Sequence, residues 1–247
     1  MSWVISGSQK VNWTPSLIST ALWLDAADAS TITLTSGAVS QWNDKSGNAR
    51  HATQSTTNSR PSYSSTGFNS LPGVTFDGVD DNMLHGCTQT GQYTLIAVYK
   101  VNSAQTGFRG VFNVGPANNA GGTMLIARTS SAFIGSFGGV ELNSTVAYAN
   151  GQSLIAIIED DNGSATKSFW INGTQSGTFT NNPEGQGGSV GGIVNQYAAI
   201  TMAECLAISS VASTSTRQLV EGYLAHKWGL AANLPAGHPY KVNAPVP

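Results

Sequence analysis

The chain has 247 residues, of which 40% are hydrophobic and only 10% charged, with a formal net charge of −2. Ordinary globular chains carry about 25% charged residues, so Ser, Thr, Asn and Gln must dress this surface, as suits lectins and proteins buried in large assemblies. No basic stripe exists to neutralise phosphates, which argues against a nucleic-acid partner. No run of about eighteen apolar residues exists either, so no membrane insertion is expected.

Residues 1–18 hold Trp3, Trp13 and Pro15 without a clear period and read as an arm or edge strand preceding the domain. They lack an apolar core behind a basic region, so no signal peptide is expected. The protein would be made in a host cytoplasm and stay there, or leave by another route, such as inside an assembled virus particle. From Ala21 the pattern becomes strands at short spacing. They are expected at Ala21–Asp25, Val39–Asn43, Val74–Phe76, Tyr93–Val101, Gly110–Val114, Thr123–Arg128 and Ala132–Phe137, then at Leu154–Glu159, Ser168–Ile171, Gly188–Ile193 and Ile200–Ser209. Tyr93–Val101 is the most β-prone of these, being rich in Val, Ile and Tyr. Ser46-Gly47, Asp77-Gly78, Asn162-Gly163 and Asn172-Gly173 supply residues that tolerate positive φ in tight turns. Cys87 and Cys205 are too few for a disulfide framework and read as buried free thiols.

One helix is expected. Ser215 and Gln218 stand at capping-box spacing, and Val220, Leu224 and Trp228 fall four apart on one face. His226 and Lys227 suit the negative end of the helix dipole, and Gly229 suits a left-handed stop. The tail from Ala231 to Pro247 carries four prolines and should be extended, ordered where it docks.

Five stretches carry a resemblance: ALWLDAADAS at Ala21–Ser30, QWNDKSGN at Gln41–Asn48, LPGVTFDGVDDNM at Leu71–Met83, EGYLAHKWGL at Glu221–Leu230 and LPAGHPYK at Leu234–Lys241. In order and spacing they resemble LamG-like jelly-roll domains, relatives of the concanavalin A-like lectins and glucanases, of the type found in tailed-bacteriophage virion proteins. The resemblance implies an all-β jelly-roll sandwich over 19–230 with one short C-terminal helix, preceded by the arm at 1–18 and followed by the tail at 231–247. It further implies a virion protein of a capsid decoration, head fibre or tail type, with other virion proteins as partners, cell-surface glycans as a second class of partner, and a homo-oligomer, such as a trimer, as its state. A stand-alone carbohydrate-binding module is the alternative.

The residues that could carry chemistry are few. Glycoside hydrolysis needs two flanking carboxylates. Of the five glutamates, Glu159 pairs only with Asp161 of a turn, and Glu204 and Glu221 lie at a strand and on the helix. These acids read as solvated, with no E-x-D-x-x-E pattern, no nucleophile elbow and no clustered zinc ligands, so no catalytic residue and no enzyme activity are expected. Binding is better represented. Trp42, Asn43, Asp44 and Asn48 set an aromatic face beside amide and carboxylate groups, a combination that serves sugars. The same loop also reads as a plain turn with Trp42 in the core. Asp77, Asp80 and Asp81 gather on one loop and could supply oxygen ligands to calcium. The alternative is a turn whose Asp side chains bond their own backbone.

Overall fold

A computed structural model describes residues 12–89, 91–103, 105, 109–114, 124–128, 133–137, 140–143, 145, 149–161, 167–179, 188–193 and 195–247. Trp3, Asn162-Gly163 and Glu184 lie outside the described residues. In chain order the strands are β1 Leu22–Asp25, β2 Ile32–Thr35, β3 Ala38–Trp42, β4 Ala52–Thr53, β5 Ser62–Phe68, β6 Leu71–Asp77, β7 Met83–Leu84, β8 Tyr93–Val101, β9 Gly110–Asn113 and β10 Met124–Arg128. They continue as β11 Phe133–Phe137, β12 Val140–Asn143, β13 Ser153–Asp160, β14 Lys167–Ile171, β15 Thr174–Phe179, β16 Ser189–Val190, β17 Gly192–Ile193, β18 Gln196–Tyr197 and β19 Ala199–Ile208, followed by the helix α1 Thr214–Lys227. The fold is an all-β sandwich closed by one helix.

Its backbone is β15-β14-β13-β8-β19, antiparallel throughout. The far edge of β19 is shared: Ala199–Met202 pairs with β6, and Glu204–Ala207 pairs with β1. A register shift against β8 between Met202 and Glu204 marks the hand-over. Such a bulge bends the strand, so that one strand can serve two partners. From β6 the ladder runs through β5 to β3 and β2. From β3 it continues to β4, β7, β16, β9, β10, β11 and β12.

The register explains why YTLIAVYKV and SLIAIIED are apolar almost without a break. Thr94, Ile96 and Val98 of β8 lie opposite Glu159, Ile157 and Ile155 of β13, and all share a face with Glu204 and Leu206 of β19. The alternate residues face the sandwich interior. A strand apolar on both faces must be covered on both, and α1 lies against the outer one at β13. Every described residue of β13 and β19 is buried.

Helix α1 starts two residues earlier than the capping-box spacing suggests. Ser213 is its N-cap, and its Oγ accepts from the Thr216 amide at 3.1 Å. At the other end Gly229 takes φ +71°, and the Leu230 amide reaches back to the Ala225 carbonyl at 2.7 Å, closing the helix in the expected left-handed stop. His226 does more than face the dipole, since its Nε2 meets the Tyr240 carbonyl oxygen at 2.8 Å. The Asn172-Gly173 hairpin forms with both residues at positive φ. Cys87 and Cys205 are buried free thiols.

The glutamates expected to be solvated are the chief departure. Glu204 is wholly buried and accepts four bonds: from Trp23 Nε1 at 2.7 Å, Tyr223 Oη at 3.3 Å, Lys227 Nζ at 2.7 Å and Trp228 Nε1 at 2.7 Å. Lys227 also meets Asp25 at 2.7 Å, and Asp25 meets Lys45 at 2.9 Å. Burial pushes the Glu204 carboxyl above the usual carboxylate range, against the pull of Lys227. Glu221 is also buried, held by Arg217 at 3.0 Å and His238 at 3.0 Å, while Glu159 takes Trp170 Nε1 at 2.8 Å. Spacing along the chain does not show the Glu204 bonds or the Glu221–His238 pair, because their partners lie on different elements, whereas Arg217 and Glu221 stand four apart on α1.

Trp13 and the tail are docked on this framework. Trp13 is buried edge-on against Tyr223, with ring centroids 5.9 Å apart, and its amide donates to the Pro245 carbonyl at 3.0 Å. The tail begins with a short 3-10 turn at Ala231–Asn233, then buries Leu234 and His238. Gly222 is required where the tail crosses the helix, since a Cβ there would lie 2.4 Å from Cβ of Tyr240.

Replacing Glu204 by Gln removes the charge that balances Lys227 inside the protein. Breaking a buried pair from one side costs about 3 kcal/mol or more, so urea unfolding of Glu204→Gln should show that loss with an unchanged m value. A loss below about 1 kcal/mol would mean that the carboxylate is already neutral in the folded protein.

Candidate functional site

The loop after β3 is built as a turn. Trp42 is 0% exposed, so it offers no ring face to a sugar, and its pairing with buried Ala52 turns it inward. Asp44 is saturated by local donors: Oδ1 accepts from the Trp23 and Ser46 amides at 2.9 and 2.8 Å, and Oδ2 from Ser46 Oγ and the Arg50 amide at 2.7 and 3.0 Å. Asn43 Oδ1 accepts from Gln41 Nε2 at 2.7 Å, and Asn48 Nδ2 donates to the Thr20 carbonyl at 3.0 Å. Of the four residues read as a ligand site, the aromatic one is core, Asp44 ties the loop to Trp23 of β1, Asn48 ties it to the residues just before β1, and Asn43 meets Gln41 of β3. As a stacking platform this reading is corrected.

Asp77, Asp80 and Asp81 do come together. Each offers a carboxylate oxygen, and these lie within 4.8 Å of one another. Asp77 Oδ1 also caps the amides of Val79 and Asp80 at 2.8 and 3.3 Å, and Asp81 Oδ2 accepts from the Asp77 amide at 3.0 Å. Burial, reinforced by the charges of Asp77 and Asp80, pushes Asp81 up to about 6. Three hard oxygen donors at this spacing fit calcium, and a bound cation would relieve their mutual repulsion.

A second site was not visible in the sequence. It begins with the bulge in the β2–β3 ladder, where Thr33 pairs with Gln41 but Leu34 pairs with Val39, leaving Ser40 as the extra residue. Val39 and Trp42 are both buried, while Ser40 and Gln41 between them are half-buried. The bulge thus turns two successive polar side chains outward. The ladder carries Gln41 to Thr53 of β4, and Thr53 to Leu84 of β7. Thr33, Gln41, Thr53 and Leu84 form one row across four strands. With Ser40, Gln54, Ser55 and Arg60 they line a groove of about 390 Å³. Leu84 is 56% exposed at its end.

Some of these groups are committed to the protein. Gln54 Nε2 donates to the side chain and carbonyl of Asn82 at 2.6 and 2.9 Å, which ties the groove to the acidic loop. Ser40 Oγ accepts from Thr35 Oγ1 at 2.9 Å and donates to the Thr33 carbonyl at 3.2 Å. Within the described residues, the hydroxyls of Thr33, Thr53 and Ser55 and the Oε1 of Gln41 have no partner and face the groove.

No family model matches the chain, and no curated protein does. Solved structures share its fold. A Trypanosoma rangeli sialidase in complex with sialic acid matches at TM-score 0.59 and 13% identity over 83% of this chain and 33% of its own. A GH54 arabinofuranosidase matches at 0.57 and 16% over 84% and 59%, and domain 4 of a Geobacillus stearothermophilus GH43 arabinanase, in complex with arabinotriose, at 0.53 and 15% over 70% and 89%. The chain therefore spans about a third of the sialidase chains. These neighbours overturn the expectation that enzyme activity is absent. Parts of glycosidase chains share this fold, so the missing E-x-D-x-x-E pattern excludes one catalytic arrangement and not glycoside hydrolysis as such. The comparisons give an all-β fold held in common with carbohydrate-active proteins.

Calcium should raise the melting temperature of the protein by several degrees in scanning calorimetry, as any ligand of the folded state does. Asp81→Asn should abolish the shift. An equal shift in the variant would place any bound calcium elsewhere.

Proposed function

We propose that this chain is a carbohydrate-binding sandwich domain of LamG-like type, and that its saccharide contacts run along the Thr33–Gln41–Thr53–Leu84 row. The observation that carries this reading is the row itself. It places hydroxyls and an amide oxygen without partners among the described residues on a sheet, at strand spacing, with one exposed apolar side chain at its end. Sugars need such an arrangement of donors and acceptors beside a small apolar contact. The arabinotriose-bound arabinanase domain, which shares the fold over most of its length, supports the reading. The groove offers no tryptophan, so recognition would proceed by hydrogen bonds more than by ring stacking. Thr53 is exposed, so Thr53→Trp should fill the groove without unfolding the sheet. On a glycan array and in calorimetric titration of the strongest binder, this variant should lose about tenfold or more in affinity, the equivalent of one or two hydrogen bonds. Unchanged binding would remove the groove from the site.

We further propose that the domain is displayed on a tailed-phage particle, with other virion proteins as neighbours and a homo-oligomeric state. The support is the charge-poor polar composition and the EGYLAHKWGL and LPAGHPYK endings. Mass spectrometry of purified particles should find the chain at stoichiometric levels. Its absence would leave the sugar-binding reading standing alone.

A further inference from the structure

Arg60 is the one charged residue lining the groove, and its guanidinium is held in a way that leaves half of it unused. Nε donates to the Gln54 carbonyl at 2.9 Å and Nη2 to the Ser55 carbonyl at 2.9 Å. These two acceptors occupy the side-on edge of the fork. The end-on edge, made by Nη1 and the second hydrogen of Nη2, has no partner among the described residues. No carboxylate there comes within the 4 Å of an ion pair to Arg60. Asp80, on the acidic loop, is met by the neighbouring Ser59, whose Oγ donates to it at 3.3 Å. Lys45, Lys167, Arg217 and Lys227 each have a carboxylate partner, whereas Arg60, like Arg50, Lys100 and Lys241 elsewhere, meets only neutral acceptors among the described residues.

A half-buried, pre-oriented cation with no counter-charge, at the edge of a groove otherwise lined by neutral groups, is arranged for an anion arriving with the ligand. Two parallel N–H bonds on the free edge match the two oxygens of a carboxylate. The fixing carbonyls remove most of the side-chain entropy that an arginine would otherwise lose on binding. We infer that the groove selects acidic saccharides, those carrying a uronate or sialate-type carboxylate, with Arg60 receiving the carboxylate and the Thr33–Gln41–Thr53 row receiving ring hydroxyls. This inference rests on the carbohydrate-binding reading above and names the ligand class for the same groove.

The test begins with wild-type protein on an array of matched acidic and neutral glycans at low ionic strength. Carboxylated glycans should dominate the binders, with their neutral counterparts about tenfold to a hundredfold weaker, the range of a charge-assisted hydrogen-bond pair. The strongest binder is then titrated as the free acid and as its methyl ester. Esterification should reproduce the loss with the protein unaltered, so the result does not depend on a variant folding. Arg60→Gln should bind acid and ester alike, Arg60→Lys should retain part of the preference, and raising salt should weaken only the acid. Equal binding of acid and ester by the wild type overturns the charge assignment while leaving the sugar groove intact. A preference for sulfated over carboxylated glycans overturns the carboxylate in favour of a sulfate ester. An array with no binders overturns the groove reading itself, and this inference with it.

Discussion

The carboxylate of Glu204 is the constraint on which the closure of the sandwich depends. It sits where β19 leaves β6 and takes up β1, so it marks the bulge that makes the double pairing workable. Bare, a charge in that position would cost several kcal/mol of desolvation. Its four donors come from two elements: Trp23 on β1, and Tyr223, Lys227 and Trp228 at the end of α1. Satisfying one group therefore fixes the register of β1, the rotation of the helix and the position of its last turn together. Asp25 extends the arrangement to Lys45 and so anchors the loop that follows β3. Packing alone would stabilise a helix here in many rotations. The buried charge selects one.

A second set of buried charges does the same for the tail. Arg217 stacks on Trp170 at 3.4 Å and bonds Glu221, which in turn receives His238 from the tail. The consequence for function is spatial. The outer face of β8, β13 and β19 carries the helix, which packs against it at β13. The groove lies on β2, β3, β4 and β7, and the acidic loop leads into β7. Gln54 binds the two together through Asn82. Neither network contributes an atom to the groove, so the framework and the groove can vary separately.

The sequence shows the framework far better than the groove, for a physical reason. Tyr93–Val101 is expected and found as the same nine residues, because a doubly covered strand is a continuous apolar run. Helix α1 is legible from its period and its glycine stop, although its cap falls at Ser213, since a run of serines and threonines offers several equivalent caps. By contrast β5, reading SYSSTGF, has mostly exposed residues and passes for a loop. The strands β2, β4 and β7 are short and partly polar, so neither period nor propensity marks them. Thr33, Gln41, Thr53 and Leu84 become neighbours only through register, and register is set by a bulge and three turns that no single stretch displays. The motifs that carry the family resemblance fare in the opposite way. Trp42 and Asp44 stand out by pattern and are structural, so reading them as binding residues follows the visible signal to the wrong job.

The form of the groove also bears on how the two proposals fit together. Without an aromatic platform, a saccharide would be held by a few hydrogen bonds made in competition with water and by one small apolar contact, and each such bond adds only about 1 kcal/mol net. A single groove of this kind binds a neutral saccharide weakly. Two or more copies on a shared scaffold change the arithmetic, because every contact after the first is intramolecular and avidity can exceed single-site affinity by about 10² to 10⁴. A weak groove is then an advantage, since it allows rapid exchange along a polymer surface until several sites engage. A polar surface poor in charge suits the same setting, because it permits close packing of copies without long-range repulsion or costly desolvation. Weak sugar recognition and display in many copies on a particle are thus complementary readings of one surface, and each supplies what the other lacks.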